Sequence, residues 1–443
     1  MYLCTHRKKI TVHDLVTMTK KIATYWRTTF ASLSTRNFRL YFIGQAVSLC
    51  GTWMQTIGQA WLVLKITGSG VQLGTVTAVQ FIPLLVLGPW GGVIADRFSK
   101  RNLLYATQTA ALFLALILGV LVATGTVQLW MVYILSFLLG IVNVVDNPAR
   151  QTFIPEMVGD EQLTNAISLG STQVNLARVI GPAIGGALIA TAGLAPLFLI
   201  NAASYVAVIA ALAMMRSDEL RPAAIVTRVK GQLAEGFRYV RSNPALRDTL
   251  IMLAIIGTLT YEFTVILPLF AQFTFARGAG GYATLTAAMG IGSLFGGLVT
   301  ANRKRITPAA LVTAAFCFGA AMLIAAVMPT FVLAIAAMSI VGFFSIIFLS
   351  LGNAILQLES EPRMRGRVMA LWGVAFLGST PIGGPIIGWI GQYAGPRWGI
   401  ATGGFAAIVG ALIGIRQLRK SRLVPAKEPL DPGTATEASS KIP

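Results

Sequence analysis

Apolar runs of 18 to 27 residues alternate with short polar connections along the whole chain. Twelve such runs can be marked, at 39–64, 71–94, 103–123, 129–149, 165–191, 196–215, 248–272, 282–301, 309–328, 331–352, 367–391 and 398–415. A helix of about 20 residues spans the roughly 30 Å hydrocarbon core of a bilayer, so each run is a candidate crossing. The pattern predicts an all-α polytopic membrane protein with twelve transmembrane helices, six in each half. The expected divisions are a basic tail at 1–37, a first bundle at 38–215, a linker at 216–247, a second bundle at 248–415 and a tail at 416–443. That last segment, with Pro, Ala, Thr, Ser and Glu but no periodicity, reads as disordered. Inside the linker, VKGQLAEGFRYVRSNP predicts a short amphipathic helix on the cytoplasmic face.

The two halves echo one another. GGVIADRFSKRNLL begins at Gly91, and GGLVTANRKRI begins about 205 residues later at Gly296. Each leaves an apolar run through paired glycines into a tight basic loop. At nearly the same offset, Glu156 in the segment from Asn147 is answered by Glu361 in the segment from Asn353, and Gly181-Pro182 by Gly384-Pro385. A duplicated helix bundle provides two walls that can rock about a central site, as in many secondary transporters.

Composition narrows the picture. With 55% hydrophobic and only 12% charged residues, and a mean hydropathy of +0.72, most of the surface must face lipid. The net charge of +19 does not signify nucleic acid. With a cytoplasmic N-terminus, the inner connections hold seventeen Lys and Arg, and the outer ones hold three, Lys65, Arg277 and Arg397. This is the positive-inside pattern, and it places both termini in the cytoplasm. Residues 1–37 lack an apolar core and cleavage site, so no cleavable signal peptide is expected. Cys4, Cys50 and Cys317 are widely separated and His6 and His13 lie in the tail, so no metal or disulfide spacing arises. No phosphate loop is present. No cofactor is expected, and transport must be driven by a gradient or a partner subunit.

Polar residues inside the apolar runs carry the candidate chemistry. Gln45, Ser48, Thr52, Gln55 and Gln59 recur at three and four, stacking on one face of the first helix. Such a stripe faces water, substrate or another helix; because it runs nearly the membrane depth, cavity lining is favoured. Arg178 and Glu262 fall near the midplane, and Asp146 lies toward the cytoplasmic end of the fourth run with Asn143, Asn147 and Arg150. Intramembrane charges pair, line a wet cavity or carry protons. Glu262 is the better proton carrier by depth, with a permanent ion pair to Arg178 as the competing role; Asp146 reads as structural or gating. Ser168, Ser171, Asn175 and Arg178 form a second stripe, which continues into Gly181, Pro182 and Gly185. Gly384, Pro385 and Gly388 repeat that arrangement, and both are expected at flexing or close-packed interfaces between the halves. In the loop after the second run, Asp96 sits among Arg97, Lys100 and Arg101, and the cluster can act as a latch.

At this point the residues resemble a known family. Gly92, Asp96, Arg97, Lys100 and Arg101, with Leu104, fit the loop signature of the major facilitator superfamily, Ser99 replacing the usual glycine. Arg178, Gly181, Pro182, Gly185 and Gly186 resemble the fifth-helix signature of its antiporters. The first run and VDNPARQTFIPEMV resemble the drug:proton antiporter branch that contains the enterobactin exporter and macrolide efflux proteins. The resemblance covers about residues 36–415. It implies twelve helices in two pseudo-symmetric six-helix bundles, with helices 1, 4, 7 and 10 around a central cavity, and alternating access coupled to inward proton movement. The mid-span arginine that many such antiporters carry in helix 4 is absent; Asn143 and Asp146 stand there instead.

The expectation is a monomeric, multi-pass exporter of a small amphipathic molecule in the inner membrane of a bacterial-type cell, driven by protons. Gln45, Thr52, Gln55, Gln59 and Asn143 would contact substrate. Glu262 would exchange protons, Arg178 would modulate it, and Asp96, Arg97 and Arg101 would stabilise the outward-facing state. Its partners are the small molecule, protons and membrane lipid, with no nucleic acid. An importer or facilitator of the same fold, and a non-transporting sensor or scaffold, are the rival readings. A membrane-embedded enzyme lacks any nucleophile–base pair.

Overall fold

The computed structural model describes residues 29–221, 232–301, 306–361, 363–376 and 378–423, and every regular element among them is helical. The first half holds α1 (Arg36–Thr67), α2 (Gly70–Arg97), α3 (Lys100–Ala123), α4 (Leu129–Val158), α5 (Asp160–Ala192) and α6 (Ala195–Ala213). The linker helix is α7 (Gln232–Ser242). The second half holds α8 (Pro244–Thr260), α9 (Phe263–Leu269), α10 (Gly278–Ala301), α11 (Pro308–Val327), α12 (Phe331–Leu358), α13 (Arg365–Phe376), α14 (Thr380–Tyr393) and α15 (Pro396–Leu423). A helix or helix pair therefore lies at each of the twelve apolar runs. The seventh run is divided into α8 and α9 with a π-turn at Phe270–Thr274, and the eleventh into α13 and α14.

Among the described residues, eleven helical stretches are long and apolar enough to cross a membrane. The missing one is α1, whose expected crossing falls short because the same glutamines that form its polar stripe lower its hydropathy. The last helix also runs to Leu423, past the point where a disordered tail was expected. The N-terminal tail to residue 28, residues 424–443 and the basic loop at 302–305 lie outside the described residues.

Local signals set the turns. Gly68 ends α1 in the left-handed region at φ 63°, and the Ser69 side chain then accepts from the Gln72 N–H to cap α2. Asn243 caps α8, with Pro244 in its first turn.

Within the first half, α1 packs on α5 and α6, α2 on α4, and α3 on α6; within the second, α10 packs on α12 and α11 on α15. The halves meet chiefly through α2 against α14 and α5 against α10. One end of the molecule gathers basic connections. There Asn37 and Arg216 exchange hydrogen bonds of 2.9 and 3.0 Å, tying the start of α1 to the end of α6. We refer to it as the basic end. The amphipathic helix expected in the linker is present, and it docks on the second half. Arg367 pairs with Glu235 at 2.6 Å, and the Glu361 N–H donates to the Tyr239 hydroxyl at 3.1 Å.

The halves touch most closely away from the basic end. A Cβ at Gly74 would collide with the Gly384 carbonyl, and one at Gly388 with the Gly70 carbonyl. Ser69 donates to the Gln392 side-chain carbonyl at 2.7 Å across the same junction. Along α5, contact with α10 runs from Gly186 against Ala283 to Arg178 and Val179 against Gly290. Nearer the basic end α5 exposes Ser168, Ser171 and Thr172. Of the glycines expected between the halves, Gly384 and Gly388 are there. Gly181 and Gly185 instead pack on α1, against Trp53 and Met54 of their own half, because α5 lies between α1 and α10 and the smallest residues go where backbones come closest.

Candidate functional site

A cavity of about 450 Å³ lies among α1 to α6 and is lined from the second half only by Thr264. Thr52, Gln55 and Gln59 of α1 and Asn143 and Asp146 of α4 line it. The stripe is nevertheless shared between cavity and helix contacts. Gln59 donates to the Ser136 hydroxyl at 3.0 Å, and the Gln55 side-chain carbonyl accepts from Asn201 at 2.5 Å. Gln45 does not contribute to the cavity. It is 2% exposed and accepts a hydrogen bond from Arg150. Its position one turn nearer the basic end puts it beside α4 rather than beside the open space. Trp53 and Phe81 line the cavity, whereas Trp61 lines a separate depression near the opposite end.

Asp146 is the centre of a buried network. Its carboxylate takes two hydrogen bonds from Arg150, at 2.6 and 3.1 Å, and one each from Thr107 at 2.8 Å and Gln108 at 2.7 Å. Arg150 continues to Gln45, so α1, α3 and α4 are joined through charge. A carboxylate held by this many hydrogen bonds serves chiefly as a tie between helices. The sequence signal for this pair is its spacing: residues four apart on one helix face each other.

Glu262 stands where the seventh run breaks. Its backbone leaves the helical region at φ −80° and ψ 40°, between α8 and α9. The freed Glu262 carbonyl accepts from the N–H groups of Val265 and Ile266, each at 3.0 Å. Its side chain is 3% exposed and packs against Gly383 and Gly384 of α14, with Thr380 in hydrogen-bonding reach. One carboxylate oxygen, Oε1, has no partner. Among the described residues no ion pair joins Glu262 to Arg178. The competing role considered for that pair, a permanent salt bridge, is not formed.

Arg178 instead lies over the indole of Trp53, 5.0 Å from the ring centroid. From the second half, Tyr261 is near enough to interact with it electrostatically. The Tyr261 hydroxyl donates to the Ser345 carbonyl at 2.6 Å, and its ring meets Phe376 edge-on at 4.7 Å. Tyr261 was not singled out in the sequence; its place beside Glu262 in a run that both kinks and crosses the midplane was the available signal.

At the basic end the loop between α2 and α3 is tied into its own half. Lys100 pairs with Glu156 of α4 at 3.1 Å. Arg101 donates to the Leu212 carbonyl at 2.7 and 3.0 Å and to the Ser217 hydroxyl at 2.7 Å, near the end of α6. Asp96 and Arg97 line the same surface depression, and Gly92 lies in the last turns of α2 leading to it. Among the described residues no group of three or more His, Cys, Asp or Glu side chains could hold a metal ion.

Comparison with known proteins places this arrangement. A family model described as transmembrane secretion effector matches residues 27–433. The multidrug efflux pump Tap of Mycolicibacterium fortuitum is 28% identical over 78% of this chain and 87% of its own length. The enterobactin exporter of Escherichia coli is 26% identical over 88% of this chain and 94% of its own. The staphyloferrin A transporter of Staphylococcus aureus is 33% identical, over 38% of this chain and 42% of its own. Among solved structures, a bacterial homologue of the human lysosomal transporter Spinster, inward-facing and unoccupied, has a TM-score of 0.70 at 14% identity, covering 88% of this chain and 98% of that one. That likeness shows the fold. The chain belongs to the transmembrane secretion effector family, within the efflux branch of the major facilitator transporters.

Proposed function

We propose that this family member exports a small amphipathic molecule, a drug-like compound or a siderophore, by proton antiport with alternating access. The observation that carries the reading is the cavity of about 450 Å³, with amides and hydroxyls beside Trp53 and Phe81, next to a junction between halves that is tight at one end only. The positive-inside rule makes the basic end cytoplasmic, so the cavity is open to the cytoplasm and shut on the outside, the state that loads cargo for export. Thr52, Gln55, Gln59 and Asn143 contact polar groups of the substrate. Glu262 exchanges the proton: it is buried at the break between α8 and α9, and its side chain abuts the α14 glycines that close on α2. Protonation there removes a charge from the junction between halves, so proton binding and closure are linked. Asp146 with Arg150 holds the first half together as it moves, and the loop bearing Asp96, Arg97, Lys100 and Arg101 gates the cytoplasmic side. The names of the relatives, two exporting enterobactin or several drugs, favour export over import.

The test is accumulation of a catecholate siderophore, a macrolide and ethidium in cells with and without the protein, repeated with a protonophore. Lower accumulation that the protonophore reverses supports the proposal. Higher accumulation overturns export in favour of import, and a reduction insensitive to the protonophore overturns proton coupling.

A further inference from the structure

Arg178 lies beside the cavity-lining Trp53, and the described residues provide it no counter-charge. Its Nε is buried without a hydrogen-bond partner, and no ion pair reaches its guanidinium. The carboxylates nearby are committed elsewhere. Asp146 is held by Arg150, Thr107 and Gln108, and Glu262 turns toward Gly383, Gly384 and Thr380. Tyr261 comes near Arg178 from the other half, but its hydroxyl donates its hydrogen bond to the Ser345 carbonyl. A lone guanidinium in the middle of a 33-residue membrane helix is costly, and such groups are retained where they bind an ion or a ligand.

Its surroundings describe that ligand. The guanidinium lies over Trp53, its Cζ 5.0 Å from the centroid of a ring that lines the cavity, and Val174, one turn away on α5, lines it too. A guanidinium presents a planar fork of N–H groups suited to two parallel hydrogen bonds to a planar oxyanion. From the second half Tyr261 comes near it, its ring packed edge-on against Phe376 at 4.7 Å. With the Asp146–Arg150 pair neutral as a unit, an unpaired positive charge remains beside the cavity. A second cation there would be repelled.

We infer that Arg178 and Trp53 form an anion subsite, and that the exported molecule carries a planar oxyanion, a carboxylate or a deprotonated catechol, on or beside a flat ring. This rests on the export reading for the ligand being cargo. The same chemistry could be offered by a lipid phosphate, although Arg178 lies far from either headgroup layer.

The full chain in nanodiscs of zwitterionic lipid would be titrated with fluorescein, an aromatic carboxylate, and with ethidium, an aromatic cation, following anisotropy. Fluorescein is expected to bind more tightly than ethidium. R178Q should weaken fluorescein on the order of tenfold or more, the loss of hydrogen bonds to a charged partner. R178K should retain part of the affinity, and ethidium should bind R178Q more tightly than wild type. Thermal midpoints separate a binding role from a structural one, since removing an uncompensated buried charge should leave the midpoint unchanged or raise it. The inference is overturned if fluorescein does not bind, if R178Q leaves its affinity within about twofold, or if ethidium binds wild type as well as fluorescein does. It is also overturned if discs containing phosphatidylglycerol abolish fluorescein binding, which would assign the site to lipid. Fluorescein flux in proteoliposomes keeps the two readings apart: Arg178-dependent binding without flux defeats export and leaves the anion subsite standing.

Discussion

Asp146 and Glu262 are both carboxylates within the membrane, and their neighbours give them opposite behaviour. Asp146 accepts four hydrogen bonds, two of them from the cation Arg150, so its role is structural. Asp146→Asn leaves Arg150 buried without its partner and should lower stability by about 3 kcal/mol, read as a lower melting temperature in detergent. Adding Arg150→Gln to that variant should recover part of the loss, because the orphaned charge is gone; a double variant less stable than the single would refute the pairing account. Glu262 has an oxygen without a partner. Glu262→Gln should leave a folded protein that exchanges substrate across proteoliposome membranes yet no longer responds to a pH gradient. Retained response would remove Glu262 from coupling. The depth of both residues was legible from their position in apolar runs. What separates them was only partly so. The i, i+4 spacing announces Arg150, whereas Thr107, Gln108, Gly383 and Thr380 come from distant runs, and a single sequence does not say which helices are neighbours.

Helix boundaries were legible because lipid permits few alternatives: every backbone group must be satisfied within a segment, so long apolar runs are helices. The exceptions follow from polar side chains. The first helix was counted as a crossing from its pattern, but its glutamines take it below the hydropathy of the other eleven. The α5 and α14 glycines looked equivalent by repeat. They differ because α14 lies directly on α2, while Gly181 and Gly185 of α5 face α1. That contact yields a prediction about elements. Gly74→Leu places a branched side chain where the Gly384 backbone sits and should hold α2 and α14 apart. Transport should fall at least tenfold with expression unchanged. Normal transport by Gly74→Leu would show that the close approach is dispensable.

At the scale of the molecule, the duplication predicted two walls around a site, and the halves meet along two helix pairs, α2 with α14 and α5 with α10. Alternating access requires the outer junction to open. Ser69 and Gln392 face each other across it, so cysteines at both positions, in a chain lacking Cys4, Cys50 and Cys317, should be joined by a short bifunctional thiol reagent. Joining them should stop transport, and cleaving the link should restore it; a joined protein that still transports would rule out opening at this point. The unequal composition of the cavity has a further consequence. Every polar contact from α1 to α6 could drift without touching α8, α9 or α14, because among the described residues Thr264 alone comes from the second copy of the duplicated unit. On the proposed reading, the first copy carries what is recognised and the second, through Glu262, what powers the movement. A lineage can change its cargo by mutation in the first half alone, and a chimera of this first half with the second half of a relative should inherit the cargo preference of the first.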